Sequence, residues 1–532
     1  MNKLIFALLL VSFTAHAEVF IEKSDDLNIS FKHNDARSGD YHFTETAGSG
    51  VAWIDFNNDE KIDLLLINGT NGHHKLFENI GKSFKDVSKL LNSQISDDRT
   101  MGVCSADINQ DGWVDFLITS YGLDRIYLNQ QGKGFKSFNL DQKKLWSSSC
   151  AFSDLDNDGD LDLYVARYAV YHLNGNKTCQ NSDSKGYCNP TAYQGETDGL
   201  YLNDGKGSFT EVSELRGIHM GGKDHSFGVL ISDFDQDNDR DIYVANDGSN
   251  NRLYLNDGKG NFEDSGLMSG TAINLNGIAE ASMGLALADI NNDNKQDIIV
   301  SHFSMETNTI YLNFGDGFFS DSTQNFGINN SSYMSMGWGM ALTDINNNGF
   351  EDLIVANGHI HEFSAKIDAR QTYKQPNQVF INQSGKKYKV MPDQETFSPI
   401  NHKSSRGLAM ADWNNDGKID LAINNINDSV DVYENVEKNQ NNWAGIKLVG
   451  SKQNSSAIGA VVTMTIGDLS IRKEIMSGGS FQSQSDLRLI FGLGKNTEPV
   501  KIDIIWPNGK KDKHTIKNLN KYHTIKYSNK PN

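Results

Sequence analysis

Residues 154–162 read DLDNDGDLD, with carboxylates at the first, third, fifth, seventh and ninth positions. The pattern recurs as DFNNDEKID from Asp55, DINQDGWVD from Asp107, DFDQDNDRD from Asp233, DINNDNKQD from Asp289, DINNNGFED from Asp344 and DWNNDGKID from Asp412. A hard dication takes several oxygens at roughly 2.3–2.6 Å, and side chains at positions 1, 3, 5 and 9 with the carbonyl of position 7 would supply them. The expected ligands are Asp55, Asn57, Asp59 and Asp63 with the carbonyl of Lys61, then Asp107, Asn109, Asp111 and Asp115 with that of Trp113. The third set is Asp154, Asp156, Asp158 and Asp162 with Asp160, and the fourth Asp233, Asp235, Asp237 and Asp241 with Asp239. The last three are Asp289, Asn291, Asp293 and Asp297 with Lys295, Asp344, Asn346, Asn348 and Asp352 with Phe350, and Asp412, Asn414, Asp416 and Asp420 with Lys418.

Position 6 must turn sharply, and it holds Gly112, Gly159, Gly349 and Gly417 or the turn-tolerant Asn238 and Asn294. Glu60 makes the first loop the least regular, and Asn348 deprives the sixth of a carboxylate. Asp, Asn and Gly also punctuate ordinary turns, but seven copies in register argue for a shared ligand. An EF-hand needs flanking helices and an acid at position 12. Here short runs rich in β-branched residues follow instead, such as LYVAR, IYVAN and LIVAN.

A third strand (RIYLN, GLYLN, RLYLN), a glycine turn and an aromatic that opens a fourth strand complete each repeat. A small residue stands five positions before each loop: Gly50, Gly102, Ser149, Gly228, Gly284, Gly339 and Gly407. That suits an innermost strand around a crowded axis. The seventh repeat lacks a fourth strand, and residues 19–31 offer the replacement that would close the ring and remove its edges. The reading is all-β: a seven-bladed β-propeller with calcium-binding loops over residues 18–438, followed by a small β domain over 439–532.

The chain has 532 residues and a net charge of -19, with 22 of its carboxylates at positions 1, 3, 5 and 9 of the loops. Seven calcium ions would leave about -5 and relieve self-repulsion. No basic patch points to nucleic acid. Residues 1–17 carry Lys3, an apolar run and Ala15-His16-Ala17, the pattern of a cleaved signal peptide. Later apolar runs are shorter than the roughly 20 residues of a membrane span. A periplasmic or extracellular address is expected, where four Cys meet oxidising conditions. Cys179 and Cys188 read as a local disulfide. Cys104 and Cys150 sit three and four residues before Asp107 and Asp154. This offset places them on opposite strand faces and suits either a contact between neighbouring blades or two outward thiols.

The loops with their LYLN-x-G-x-G-x-F continuations resemble FG-GAP/VCBS repeats of the integrin-α type. The tail, with NWAGIKLVG, AIGA, SQSDLRLIFGLG and IIWPNG, resembles the ASPIC/UnbV domain. Together they are similar to the cartilage acidic protein-like family. The resemblance implies a secreted, calcium-loaded propeller without an established reaction, and adhesion or matrix roles in some lineages. Asn454-Ser455 stands where the family tends to have Asn-Arg, so no role of that arginine carries over.

The leading functional expectation is a non-catalytic module that binds an extracellular protein or glycan. The alternative is a carbohydrate-active or biosynthetic enzyme, since fold does not fix function. Two segments between second and third strands are enlarged, 167–197 with Cys179 and Cys188, and 358–376 with His359 and His361. Long loops on a rigid scaffold are the usual carriers of recognition, so this face is expected to meet the partner. His225, His302, His359 and His361 lack ligand spacing, no nucleophile motif is present, and Trp53, Trp113, Trp338 and Trp413 read as packing.

Overall fold

The computed structural model describes residues 18–70, 73–93, 96–181, 184–218 and 224–528, and the expected signal peptide lies outside them. The first repeat folds as strands Val51–Ile54, Asp63–Leu66, Lys75–Asn79 and Phe84–Asp86, paired antiparallel in chain order. The same four-stranded unit recurs, its innermost strands being Arg99–Ala106, Leu145–Ser153, Ser226–Ser232, Leu285–Ala288, Gly337–Thr343 and Ser405–Ala411. Units two and three are continuous, because Leu145 and Trp146 pair with Gly122 and Tyr121.

Each innermost strand lies against the next, and Val51–Ile54 lies against both Arg99–Ala106 and Ser405–Ala411, so the seven units close on themselves. This approach explains the small residues before the loops. A Cβ on Gly284 would stand 1.8 Å from the carbonyl oxygen of Trp338, and one on Gly407 would stand 2.3 Å from that of Ser49.

The outer strand of unit seven comes from the N-terminus. Phe20–Glu22 pairs antiparallel with Asp431–Asn435. The pairing covers three residues rather than the whole of 19–31, because Lys23-Ser24-Asp25-Asp26 turns away, with the Glu22 carboxylate accepting the Ser24 N–H at 2.8 Å. Beyond the turn Leu27, Ile29 and Phe31 are buried with Trp53, Phe84 and Trp413. Phe397–Ser398 pairs parallel on the far side of Phe20–Glu22 and covers its edge.

The tail builds two sheets of its own. Asn442–Val449 lies between Leu489–Gly494 and Tyr522–Lys526. The other sheet runs Leu469–Glu474, Val461–Ile466, Val500–Ile505 and Lys511–Ile516. Their apolar interior is not closed: Ile446, Val462 and Trp506 share one cluster with Ile108, Leu117 and Phe152 of units two and three.

The segment linking two of the tail strands enters the axis of the ring. Residues 476–486 offer their backbone to the free edges of the innermost strands: Leu285 N–H donates to the Ser480 carbonyl at 2.8 Å, Val103 N–H to that of Gln482 at 3.1 Å and Trp53 N–H to that of Gln484 at 3.0 Å. Met340 and Met410 N–H donate to the hydroxyls of Ser480 and Ser485. At the tip of this plug Phe481 is fully buried, 4.9 Å from Trp338 and 5.6 Å from Phe227 between ring centroids.

Candidate metal centres and the opposite face

Each acidic loop closes on its own first carboxylate. In the second loop Asp107 accepts the N–H of Asp111 at 3.0 Å and of Gly112 at 2.9 Å, and in the seventh Asp412 accepts those of Asp416 and Gly417 at 3.0 and 2.9 Å. The backbone is left-handed at position 6 in all seven loops, Glu60 included at φ 66°. It is left-handed at position 4 as well, from Asn58 at 55° to Gln236 at 69°. The second bend explains the Asn or Gln at position 4, a signal that the sequence carries and that position 6 alone overlooks.

The ninth carboxylate is a scaffold group in every loop. Asp162 takes the N–H of Leu155 on one oxygen and of Asn203 on the other, and Asp63, Asp115, Asp241, Asp297, Asp352 and Asp420 repeat this. The asparagine that ends each third strand turns out to be an inter-unit clasp. Asn129 Nδ2 donates at 2.8 Å to the Phe56 carbonyl of unit one, Asn382 at 2.9 Å to Ile290 of unit five, Asn435 at 3.0 Å to Ile345 of unit six, and Asn79 at 2.9 Å to Trp413 of unit seven. Asn203, Asn256 and Asn313 reach back one unit in the same way. These asparagines were visible as the last letter of each YLN run, but a strand-end polar residue gives no hint that its partner lies in the preceding unit.

Burial raises the pKa values of the carboxylates in these loops. Asp63, Asp115 and Asp162 are pushed up to about 8, and Asp154 to about 7 by burial and then by the neighbouring Asp158 and Asp156. Asp344 reaches about 7 and Asp289 and Asp412 about 6, again through burial first. Lys61 and Lys295 turn their ammonium groups onto the position-5 carboxylates Asp59 and Asp293 at 2.6 and 3.1 Å.

Two loops bring three carboxylates within metal-ligand reach of one another: Asp154, Asp156 and Asp162 in the third, and Asp233, Asp235 and Asp237 in the fourth. In both loops Oδ1 of the first aspartate is buried without a hydrogen-bond partner in the described structure. A buried, unpaired carboxylate oxygen aimed among like charges is costly, and a hard dication is the partner this donor set fits. The other five loops do not assemble three carboxylates this closely among the described residues.

The tail docks over this same face. Ser455 Oγ donates to Asp107 at 2.6 Å, at the position where this sequence departs from the Asn-Arg of the family it resembles. Tyr522 OH donates to Asp412 at 2.9 Å, Arg488 to the Asp412 carbonyl at 2.8 Å, and Gly494 N–H to the Asn347 carbonyl at 2.9 Å. Arg240 and Glu474 form a buried pair at 3.0 Å between unit four and the tail.

The opposite face stays clear of the tail sheets. The two enlarged segments meet there: Tyr187 stacks on His361 at 5.8 Å, and Tyr187 OH donates to buried Glu45 at 3.4 Å. An aromatic layer of Phe43, Trp146, Tyr168, Phe227 and Trp338 seals the axis from this side, with Phe481 entering from the other. Fully buried Arg406 lies 4.1 Å over the Trp338 ring and donates to the carbonyls of Thr46 at 2.7 Å and Gly358 at 3.1 Å. Burial lowers its pKa to about 9.

The four histidines occupy this side of the units without forming a ligand set among the described residues. His359 is held at about 3 and His361 at about 4 by burial. Trp53, Trp338 and Trp413 are buried, and Trp113 is half-buried. Both disulfides form, Cys104 with Cys150 between units two and three, and Cys179 with Cys188 within the enlarged segment. No helix among the described residues is long and apolar enough to cross a membrane.

Comparison with known proteins agrees with this layout. The FG-GAP-like repeat model matches residues 55–118, 107–165, 233–300 and 289–355, and the ASPIC and UnbV model matches residues 450–532. Cartilage acidic protein 1 of Xenopus tropicalis is 25% identical over 87% of this chain and 70% of its own length. The Homo sapiens protein of that name is 23% identical over 68% of this chain and 50% of its own length. Among solved structures, an Agrocybe aegerita lectin that recognises non-reducing terminal N-acetylglucosamine aligns at 16% identity and a TM-score of 0.41, covering 72% of this chain and 86% of the lectin. The V. cholerae biofilm matrix protein Bap1 aligns at 13% identity and a TM-score of 0.35, covering 74% of this chain and 88% of that protein. The chain is therefore an FG-GAP-like repeat protein with a C-terminal ASPIC and UnbV domain, homologous to cartilage acidic protein 1.

Proposed function

We propose that this protein is an exported, calcium-stabilised seven-bladed propeller that binds an extracellular protein or glycan without catalysing a reaction. The observation that carries the calcium reading is the pair of buried, unpartnered Oδ1 atoms of Asp154 and Asp233, each among carboxylates at metal-ligand separation. The third and fourth loops are then the strongest sites. The first and fifth keep a lysine on a would-be ligand, and the sixth offers an amide at position 5.

The placement of the partner follows from what is already covered. The tail occupies the acidic-loop face, whereas segments 167–197 and 358–376 converge on the other. Ions on the first face would stiffen the ring, and the joined loops on the second would present the contact surface.

The test is thermal unfolding of the chain from Glu18 onward, with calcium and after chelation, with bound metal counted by elemental analysis. Native-state binding raises the midpoint by mass action. A calcium-dependent rise that shrinks in Asp154→Asn and Asp233→Asn, with one ion fewer in each, supports the reading. No bound ion and no shift would reduce the loops to turns. For the partner face, arrays of matrix proteins and glycans are probed with the full chain and with both enlarged segments shortened. Capture unaffected by the shortening would place recognition elsewhere.

A further inference from the structure

The tail does not cover the acidic face evenly. It hydrogen-bonds to loops two, four, five, six and seven, whereas among the described residues no such bond reaches loops one and three, and toward loop one stands Lys447, whose ammonium is 3.7 Å from Glu60. The ring of position-4 side chains is parted at the same place. Asn58 donates to the Gly112 carbonyl of the next loop, and Asn292 and Asn347 do likewise to Gly349 and Gly417. Asn415 breaks the series: its Oδ1 accepts a hydrogen bond from Arg488 of the tail at 2.6 Å. Loop seven is thereby tied to the tail rather than to loop one.

The result is a cleft of about 640 Å³ between unit one, loop two and the outer face of the three-stranded tail sheet. That volume is within the usual range for sites that enclose a small organic molecule. Its walls are mostly apolar, from Ile54 and Val114 on the ring side to Trp443 and Val449 on the tail side. Most of its charged groups are already committed. Asp486 is paired with Arg488 at 2.7 Å, and Asp55 spends its oxygens on the N–H groups of Asp59 and Glu60. Lys447 is the least firmly held: its ion pair at 3.7 Å with a carboxylate whose side chain is 75% exposed is worth little, and its only other charged neighbour among the described residues is Asp55, whose carboxylate it favours through space without a hydrogen bond. Exposed Lys521 adds a second cation at the rim.

We infer that this cleft binds a small amphipathic anion, an apolar body lying between Val114 and Val449 with a single carboxylate displacing Glu60 from Lys447. The site shares Asp55 and Glu60 with loop one, but none of the contacts proposed for the ligand passes through a metal.

Decanoate serves as the probe, titrated calorimetrically into the full chain in calcium-containing buffer, with intrinsic tryptophan fluorescence reporting on Trp443. Saturable one-to-one binding is expected. Lys447→Glu weakens it at least tenfold, Val449→Trp fills the cleft and removes it, and Glu60→Gln tightens it about twofold to fivefold by freeing the ammonium. Thermal midpoints of the variants check that each is folded, and the Glu60 variant, altered at an exposed side chain, keeps the test open should the others unfold. Absence of saturable binding overturns the proposal. So does binding that survives Val449→Trp, or binding indifferent to both Lys447→Glu and Glu60→Gln.

Discussion

Removing the ring of Phe481 tests whether tail and ring are one folding unit. The side chain is fully buried, its partners Trp338 and Phe227 belong to units six and four, and its backbone neighbours bond the innermost strands of five units. Phe481→Ala leaves a cavity that its surroundings, already crowded with aromatic rings, cannot collapse into, which costs about 3–5 kcal/mol. With an unfolding entropy of about 2.1 cal/mol/K per residue, a chain of this length loses about 1.1 kcal/mol per kelvin at its midpoint. The midpoint should therefore fall by about 3–5 °C as a single transition. Scanning calorimetry of the two proteins in calcium is the assay. Two resolved transitions, with the larger one unmoved by the substitution, would refute the shared unit and leave the plug a passenger. The same reasoning predicts that residues 439–532 expressed alone expose the apolar face that Ile446 and Trp506 now share with unit three.

Further outcomes follow from other contacts. Asn382→Ala strips the buried Ile290 carbonyl of its donor and leaves that of Glu351 with the Tyr388 hydroxyl alone, and should cost about 1–3 kcal/mol, read as a lower melting midpoint. Opening Cys104–Cys150, which spans 46 residues, should cost about 4 kcal/mol by the chain-entropy relation, against about 3 kcal/mol for the nine-residue span of Cys179–Cys188. Replacing each pair by alanine and comparing urea midpoints checks the order. His33 is buried neutral with its acidity constant lowered to about 3. The unfolded chain binds its proton near pH 6.5 and the folded chain does not, so its contribution is complete above that pH and declines as pH falls toward 3. At pH 5 the loss amounts to about 2 kcal/mol. His33→Gln should flatten the midpoint-versus-pH curve between pH 6.5 and 4, and an unchanged slope would count against it.

The repeat was legible because its chemistry is local. Position 6 of each loop bonds the first carboxylate within a single turn, so spacing alone reports the loop. The four-strand unit was legible for the same reason, as was the use of an N-terminal strand to finish unit seven, since a missing strand leaves a countable gap. What escaped the sequence is long-range. Gln482 and Phe481 sit in a run of Ser, Gly and Gln that reads as a surface turn, and nothing local marks it as the filling of an axis hundreds of residues upstream. Arg406 stands before a small residue whose reason is clear, yet its own burial against Trp338 depends on the N-terminal segment around Thr46. The convergence of residues 187 and 361 depends on how units three and six face each other across the ring. The disulfide between Cys104 and Cys150 was left open by parity and is decided by unit packing.

The closing strand and the plug carry a consequence for the order in which the molecule can be built. Phe20–Glu22 finds its partner at Asp431–Asn435, and among the described residues the free edges of the innermost strands are met by residues 476–486. A chain that has emerged as far as unit six therefore holds six of the seven acidic loops in an open circle with an empty hub. The stretch from Asp431 to residue 486 acts as the clasp of a bracelet, and the ring closes only once it has been made.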